Sequence, residues 1–371
     1  MATVLTLVGN RPQFVKAAAV SQHLRERVEE ILVHSGQHYD RELSEVFFEE
    51  LGLPPPAHEL GVGSGSHAEQ TGALLTAVEP VVHVIAPDAL LVYGDTNTTL
   101  AGSLVAAKSR IPLAHIEAGM RSFDRAMPEE INRVVADCVS GLLLCSTETA
   151  VENLRSEGLA ENARLIGDVM ADVALRLGPI AERRSQALQR LRLEPRSYIL
   201  ATAHRAGNVD QPAQLERLLA VLARMAELAP VVIALHPRTR ARIEALGASG
   251  HLESRGVRVI EPVGYLDFTC LLRQARAVLT DSGGVQKEAY LASVPCVTMR
   301  ETTEWVETVE LGWNRLVGLD PESAFEALEE LQPRLGERTD ASIYGDGEAG
   351  ERAAAEIASW LRSSSAPQRV P

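Results

Sequence analysis

Asp95, Glu117 and Glu129 are the residues whose types and placement could move a proton. Asp95 stands in Tyr93-Gly94-Asp95-Thr96-Asn97-Thr98-Thr99, Glu117 in His115-Ile116-Glu117-Ala118-Gly119, and Glu129 directly after Met127-Pro128. All three fall on strand-end or helix-start loops of one half of the chain. Carboxylates gathered on one rim repel one another, and with burial this raises a pKa toward the working range of a general acid or base. Plain readings stand beside the chemical one. Asp95 suits a helix N-cap, and Glu129 with Glu130 complements the positive end of a helix. A glutamate ending an apolar strand, as Glu117 does, is costly to bury unless paired or used.

The chain has 371 residues and a formal net charge of −14, which argues against nucleic acid or an anionic membrane as the main partner. An anionic substrate would need a local basic cluster. Gly9-Asn10-Arg11-Pro12-Gln13-Phe14-Val15-Lys16 offers one: a tight turn, a proline suited to the first helical position, and Arg11 and Lys16 able to reach an anion. Its plain alternative is a strand-to-helix turn with solvated basic residues.

In the second half, Thr280-Asp281-Ser282-Gly283-Gly284-Val285-Gln286-Lys287-Glu288 runs from an apolar strand through small residues into a helix. Backbone N–H groups at the positive end of a helix suit a phosphate or diphosphate. Glu288 stands where a carboxylate can take two ribose hydroxyls. The plain reading is an N-cap by Asp281 or Ser282, with glycines for tight packing. His204 and His236 end two further strands, either to stabilise departing negative charge or as satisfied structural histidines. Phe268 is either helix core or a lid stacking on a base.

Such residues need a frame, and short β-rich runs alternating with longer helical patterns supply it. Strands are expected at 4–8, 31–34, 89–93, 113–116, 142–145 and 164–166, then at 198–202, 231–235, 257–260, 277–280 and 295–299. Helical patterns between them include 12–24, 43–51, 69–82, 100–107, 129–139 and 147–156. This alternation indicates parallel sheets covered on both faces. The length exceeds one compact core, and a boundary fits between Gly167 and Ser197, with a connecting helix at 168–177 and a charged helix at 181–191. The expected fold class is α/β, with two doubly wound Rossmann-like domains facing a central cleft that holds the ligand.

With 46% hydrophobic and 23% charged residues, the composition is that of a soluble globular chain. Cys138, Cys145, Cys270 and Cys296 lack metal-ligand spacing and lie in apolar sequence, which reads as buried reduced thiols. No dinucleotide fingerprint, Walker A motif or nucleophile elbow occurs. No apolar run approaches a membrane span, and Met1 leads directly into a strand. A cytoplasmic protein with neither metal nor cofactor is expected.

In order and spacing these segments resemble the non-hydrolysing UDP-N-acetylglucosamine 2-epimerases, over nearly the whole chain. The resemblance rests on Gly9–Lys16, Gly94–Thr99, His115–Gly119, Pro128–Arg133, His204-Arg205, Thr280–Glu288, Arg300–Glu304 and Tyr344-Gly345-Asp346-Gly347. It implies the two-domain GT-B fold. Residues 1–168 would carry the acid/base carboxylates, 169–345 would bind UDP, and 346–371 would form a C-terminal helix and tail packing back on the first domain. It implies a homodimer that interconverts UDP-GlcNAc and UDP-ManNAc for cell-surface polysaccharide precursors, by eliminating UDP to a glycal and adding it back. Asp95, Glu117 and Glu129 would then be the acid/base carboxylates, and His204 would assist the leaving diphosphate. Arg11, Lys16, Arg133 and His236 would contact substrate, and Phe268 would stack on uracil. Ser282, Gly283 and Gly284 would hold the diphosphate, and Glu288 the ribose.

The commonest family patterns read Gly-Thr-Arg-Pro-Glu and Thr-Glu-Arg-Pro-Glu, where this chain has Gly9-Asn10-Arg11-Pro12-Gln13 and Thr303-Glu304-Trp305-Val306-Glu307. With Gln37-His38-Tyr39-Asp40 and His236-Pro237-Arg238-Thr239, these segments resemble the branch acting on UDP-2,3-diacetamido-2,3-dideoxyglucuronate, the alternative substrate. Gln70-Thr71-Gly72 stands where better-known members place an allosteric arginine, so activation by a second substrate molecule lacks that residue. A GT-B glycosyltransferase is the more distant alternative, and it does not need three carboxylates on one rim.

Overall fold

A computed structural model describes residues 1–36, 48–235, 237–245 and 252–364. It divides into two compact units, Met1–Val173 with the segment from Ser342 onward, and Ala174–Ala341.

The first unit is built on a parallel sheet of β1 (Thr3–Val8), β2 (Glu29–His34), β3 (His58–Glu59), β4 (Ala89–Tyr93), β5 (Leu113–Ala118), β6 (Leu142–Cys145) and β7 (Ala163–Leu165). Their spatial order is β3-β2-β1-β4-β5-β6-β7. Its helices are α1 (Arg11–Arg25), α2 (His67–Ile85), α3 (Asn97–Lys108), α4 (Pro128–Val139) and α5 (Glu148–Ser156). Leu90, Leu91, Val92 and Tyr93 are all buried, as a parallel strand covered on both faces requires. The strand order reverses between β1 and β4. Loops leaving those two strands therefore diverge to opposite faces and leave a crevice at their carboxyl ends.

Helix α6 (Val169–Arg184) leads into the second unit, followed by α7 (Ala187–Arg190). The unit's parallel strands are β8 (Ile199–Thr202), β9 (Val231–Ala234), β10 (Val257–Ile260), β11 (Ala277–Thr280), β12 (Cys296–Thr298) and β13 (Asn314–Leu316), in the order β10-β9-β8-β11-β12-β13. The helices between and after them are α8 (Ala206–Val209), α9 (Pro212–Met225), α10 (Pro237–Ala245), α11 (Tyr265–Arg273), α12 (Gly283–Leu291), α13 (Val306–Glu310) and α14 (Pro321–Leu331). Successive strand residues face opposite ways. Ile199, Val231, Ala277 and Leu279 join one core, and Leu200, Val232 and Val278 join another on the far face. Here the order reverses between β8 and β11.

Helix α15 (Ala349–Ser364) returns to the first unit and packs on α1. The approach is close because residue 350 is glycine: a Cβ there would lie 2.1 Å from the Ala19 carbonyl oxygen.

Three expectations need correction. The charged helix at 181–191 is two pieces, the end of α6 and the short α7. The edge strands β3 and β13 were not anticipated; at two and three residues with polar members, they carry no hydrophobic run to read. Cys138 is exposed, while Cys145, Cys270 and Cys296 are buried and free. On α4 the buried face includes Ala136 and Asp137, and one further residue turns Cys138 out to solvent. The helix expected at 43–51 lies mostly outside the described residues.

Candidate active site

Lys16 on α1, Asp95 after β4, Glu117 at the end of β5, and Glu129 and Arg133 on α4 meet at the switch point of the first sheet. The Lys16 ammonium pairs with Oε1 of Glu117, and both are buried. Arg133 Nε lies 3.1 Å from Oδ2 of Asp95, and its Nη1 lies 3.1 Å from Oε2 of Glu130. Burial raises the Asp95 pKa above its ordinary value; Arg133 and Lys16 oppose this, and the charges of Glu117 and Glu129 add to it. Burial pulls Lys16 down, yet Glu117 and Asp95 outweigh it and hold the ammonium above its usual range. An alternating cluster of acids and bases can hold a proton at one carboxylate while another remains charged.

Backbone geometry makes this approach possible. Glu117 has φ +70°, a left-handed conformation that costs a non-glycine residue about 1–3 kcal/mol, and the register of β5 with β6 shifts across it. Gly94 has φ +60°, and a Cβ there would sit 2.7 Å from Lys16 Nζ and 3.3 Å from Glu117 Oε1. Only glycine leaves room for that ion pair.

Asp137, wholly buried on α4, holds both flanks of Glu117. Its Oδ1 is 2.7 Å from His115 Nδ1, and Oδ2 accepts the Gly119 N–H at 3.1 Å and lies 2.8 Å from Arg121 Nη1. His115 Nε2 reaches the Gly94 carbonyl at 2.7 Å, so one network ties together both loops that flank the ion pair. Gln13 does the same for the first turn. It accepts the Gly9 N–H at 2.7 Å, and its amide donates to the Tyr93 carbonyl at 2.8 Å and to the hydroxyls of Thr96 and Thr99, each at 3.0 Å. An ionised glutamate could not donate to those acceptors.

Adjacent Glu129 and Glu130 differ. Glu130 is buried and its oxygens accept from the Ser122 N–H and hydroxyl and from the Phe123 N–H, besides pairing with Arg133. It is a structural acid. Glu129 is half-buried and acts on Asp95 by charge.

In the second unit, Ser282 occupies the N-cap of α12 without making a capping hydrogen bond. Asp281 instead turns back toward His204. The first turn of α12 is Gly283-Gly284, and Glu304 takes up the space a side chain on Gly283 would need, its Oε1 lying 2.1 Å from that Cβ position. Arg300 pairs with Glu304 at 2.7 Å. Trp305 covers the buried Lys287 ammonium, 3.8 Å from the ring centroid, a cation–π contact. Glu288 lines a small cavity with Tyr265, Thr269, Leu272 and Arg273. Phe268 is 5% exposed and packs in the apolar core with Leu271 and Leu272.

The structure thus gathers Lys16, Asp95, Glu117, Glu129 and Arg133 in one unit, with Arg11 half-buried at the start of α1 nearby in sequence. It gathers His204, Ser282, Gly283, Gly284 and Glu288 on loops and a helix around β8 and β11 of the other. His236 lies outside the described residues. Sequence reasoning passed over Asp137, marked Gln13 only as a departure from the commonest family pattern, and took Asp281 only as a cap. Asp137, in the last turn of an amphipathic helix, carried one usable signal: a carboxylate on the buried face must be paired.

Comparison with known proteins agrees with this picture. A family model described as UDP-N-acetylglucosamine 2-epimerase matches residues 22–358. The UDP-2,3-diacetamido-2,3-dideoxy-D-glucuronate 2-epimerase of Pseudomonas aeruginosa is 47% identical over 363 residues, covering 96% of this chain and 99% of that one. The UDP-N-acetylglucosamine 2-epimerase of Methanocaldococcus jannaschii is 41% identical over 353 residues, covering 93% and 96%. A crystal structure of the M. jannaschii UDP-GlcNAc 2-epimerase in complex with UDP-GlcNAc and UDP has a TM-score of 0.89 at 39% identity, covering 97% of this chain and 100% of that one. The chain belongs to the UDP-N-acetylglucosamine 2-epimerase family.

Proposed function

We propose that the protein interconverts UDP-N-acetylglucosamine and UDP-N-acetylmannosamine without net hydrolysis. The observation that carries this reading is the gathering of Asp95, Glu117 and Glu129 with Lys16 and Arg133, of which Glu117, Lys16 and Arg133 are buried and Asp95 and Glu129 half-buried. A carboxylate takes the C2 proton, the C2–H electron pair becomes the C1–C2 double bond, and the C1–O pair leaves with UDP. For the return, a UDP oxygen attacks C1 while C2 receives a proton on its opposite face. Arg11, Lys16 and Arg133 contact the substrate, as would His236. Ser282, Gly283 and Gly284 hold the diphosphate at the start of α12, Glu288 takes the ribose, Phe268 backs the uracil, and His204 meets the leaving diphosphate. Residues 1–168 supply the acid/base groups and 169–345 the nucleotide grip.

Incubation with UDP-GlcNAc in deuterated water, followed by NMR, tests this. The expected products are UDP-ManNAc and substrate deuterated at C2. Absence of both, with no free UDP, would rule out this sugar. The second reading, UDP-2,3-diacetamido-2,3-dideoxyglucuronate with the same chemistry, is supported by the 47% identity to the Pseudomonas enzyme. The same NMR experiment with that sugar separates the two.

The reading takes the protein as a cytoplasmic homodimer. Ala68, Gly72, Thr76, Pro80 and Val84 support association: they are exposed and uncharged at four-residue spacing along α2. A mass of one chain by light scattering would contradict it.

A further inference from the structure

Strands β8 and β11 are direct neighbours, with Thr202 opposite Thr280 and their hydroxyls 2.6 Å apart. Asp281 is the first residue beyond β11, and His204 the second beyond β8. The Asp281 carboxylate is wholly buried. It accepts the His204 N–H at 3.2 and 3.1 Å, the Arg205 N–H at 3.0 Å and the Asn208 side-chain amide at 3.1 Å. Its Oδ1 also lies 3.2 Å from Nδ1 of the His204 ring. Backbone and ring of one histidine are thus held by one carboxylate, although the His204 side chain is 57% exposed.

We propose that Asp281 is a positioning residue for His204, keeping a proton on Nδ1 and presenting Nε2 to the departing diphosphate. This rests on the role given to His204 under the proposed function. A neutral imidazole carries one N–H, and donating it from Nδ1 to a buried carboxylate fixes the tautomer. When Nε2 also carries a proton, the carboxylate balances the cation, and Nε2–H can donate a charge-assisted hydrogen bond to phosphate oxygen. Asp281 itself stays ionised: burial pushes its pKa up, but His204 and the Arg205 N–H and charge outweigh that and hold it low. The competing account is that Asp281 merely caps the short helix α8. A cap needs the backbone donors alone, and leaves the ring contact without a purpose.

Ring nitrogen shifts of ¹⁵N-labelled protein, with His204 assigned through His204→Ala, read the tautomer directly. Protonated Nδ1 and bare Nε2 in the neutral form are expected, whereas the opposite tautomer overturns the proposal. This reading is made on unaltered protein without substrate, so it stands apart from whether the proposed sugar or reaction is correct. A kinetic cycle with UDP-GlcNAc adds a second arm. Asp281→Asn is expected to lower kcat by about 10–100-fold, the scale of partners that orient a functional side chain. In the His204→Ala background the same change should cost less than about twofold, because residues that act as one unit are not additive. Equal losses in both backgrounds would assign Asp281 to the fold alone.

Discussion

Two neighbouring carboxylates at the start of α4 show how little residue type says without its partners. Glu130 is saturated by Ser122, Phe123 and Arg133, whereas Glu129 stands half-buried beside Asp95. Glu129→Gln, Asp95→Asn and Glu117→Gln should each lower kcat by about 10²–10⁴-fold, the range for general acid–base groups. The unfolding midpoint of Glu129→Gln should match the parent. Glu130→Gln should lower that midpoint instead, since breaking a buried pair costs about 3–5 kcal/mol. Thermal melts beside initial rates separate the two, and the opposite pattern would exchange the roles assigned here. The left-handed backbone of Glu117 was not legible, because glutamate gives no hint of positive φ. Only the Gly94 and Gly119 neighbours hinted at a crowded turn.

Elements were easier to read than their internal wiring. Strands β4, β6, β10 and β11 fall on the expected residues: short apolar runs bounded by turn residues, interrupted in β10 only by Arg258, leave few alternatives. Their ends were enough to locate most of the candidate site, since parallel sheets place ligands at strand carboxyl ends. Side-chain networks are not periodic, which is why Asp137 was passed over and the hydrogen bonds of Gln13 were not foreseen. Burial raises the Asp137 pKa, but His115 and Arg121 outweigh this and set it below its ordinary value. A carboxylate whose pKa folding lowers adds stability above its unfolded value of about 3.9, and loses it as pH falls through the folded value. Asp137→Asn should therefore unfold earlier than the parent at pH 7, with the gap closing below about pH 4. A gap of the same size at both pH values would remove Asp137 from the linkage. Cys138 gives a simpler check on α4: native protein treated with iodoacetamide should gain label there and nowhere else among the four thiols. Labelling of Cys145 without unfolding would contradict the buried β6.

At the scale of the whole molecule, a chain of net charge −14 must admit an anionic substrate under the proposed function. The Debye length is about 30 Å at 0.01 M salt and about 10 Å at 0.1 M. At low salt an approaching nucleotide sugar feels the whole charge; at higher salt it feels mainly the groups nearest it, where Lys16 and Arg133 stand paired with carboxylates. Raising salt between these limits should lift kcat/KM by about twofold before further salt reduces it. A steady fall from the lowest salt would mean that the local cations dominate throughout. The first unit has a further consequence, because it uses both ends of the chain. Asp168 N–H donates to the Tyr344 carbonyl, Gly350 N–H donates to Asp172, and Gly350 lies against Ala19 on α1. As the chain leaves the ribosome, residues 174–341 can close on themselves while the N-terminal sheet still waits for its last helix. The groups assigned to proton transfer are thus made before residues 174–341, in the unit that is completed after them.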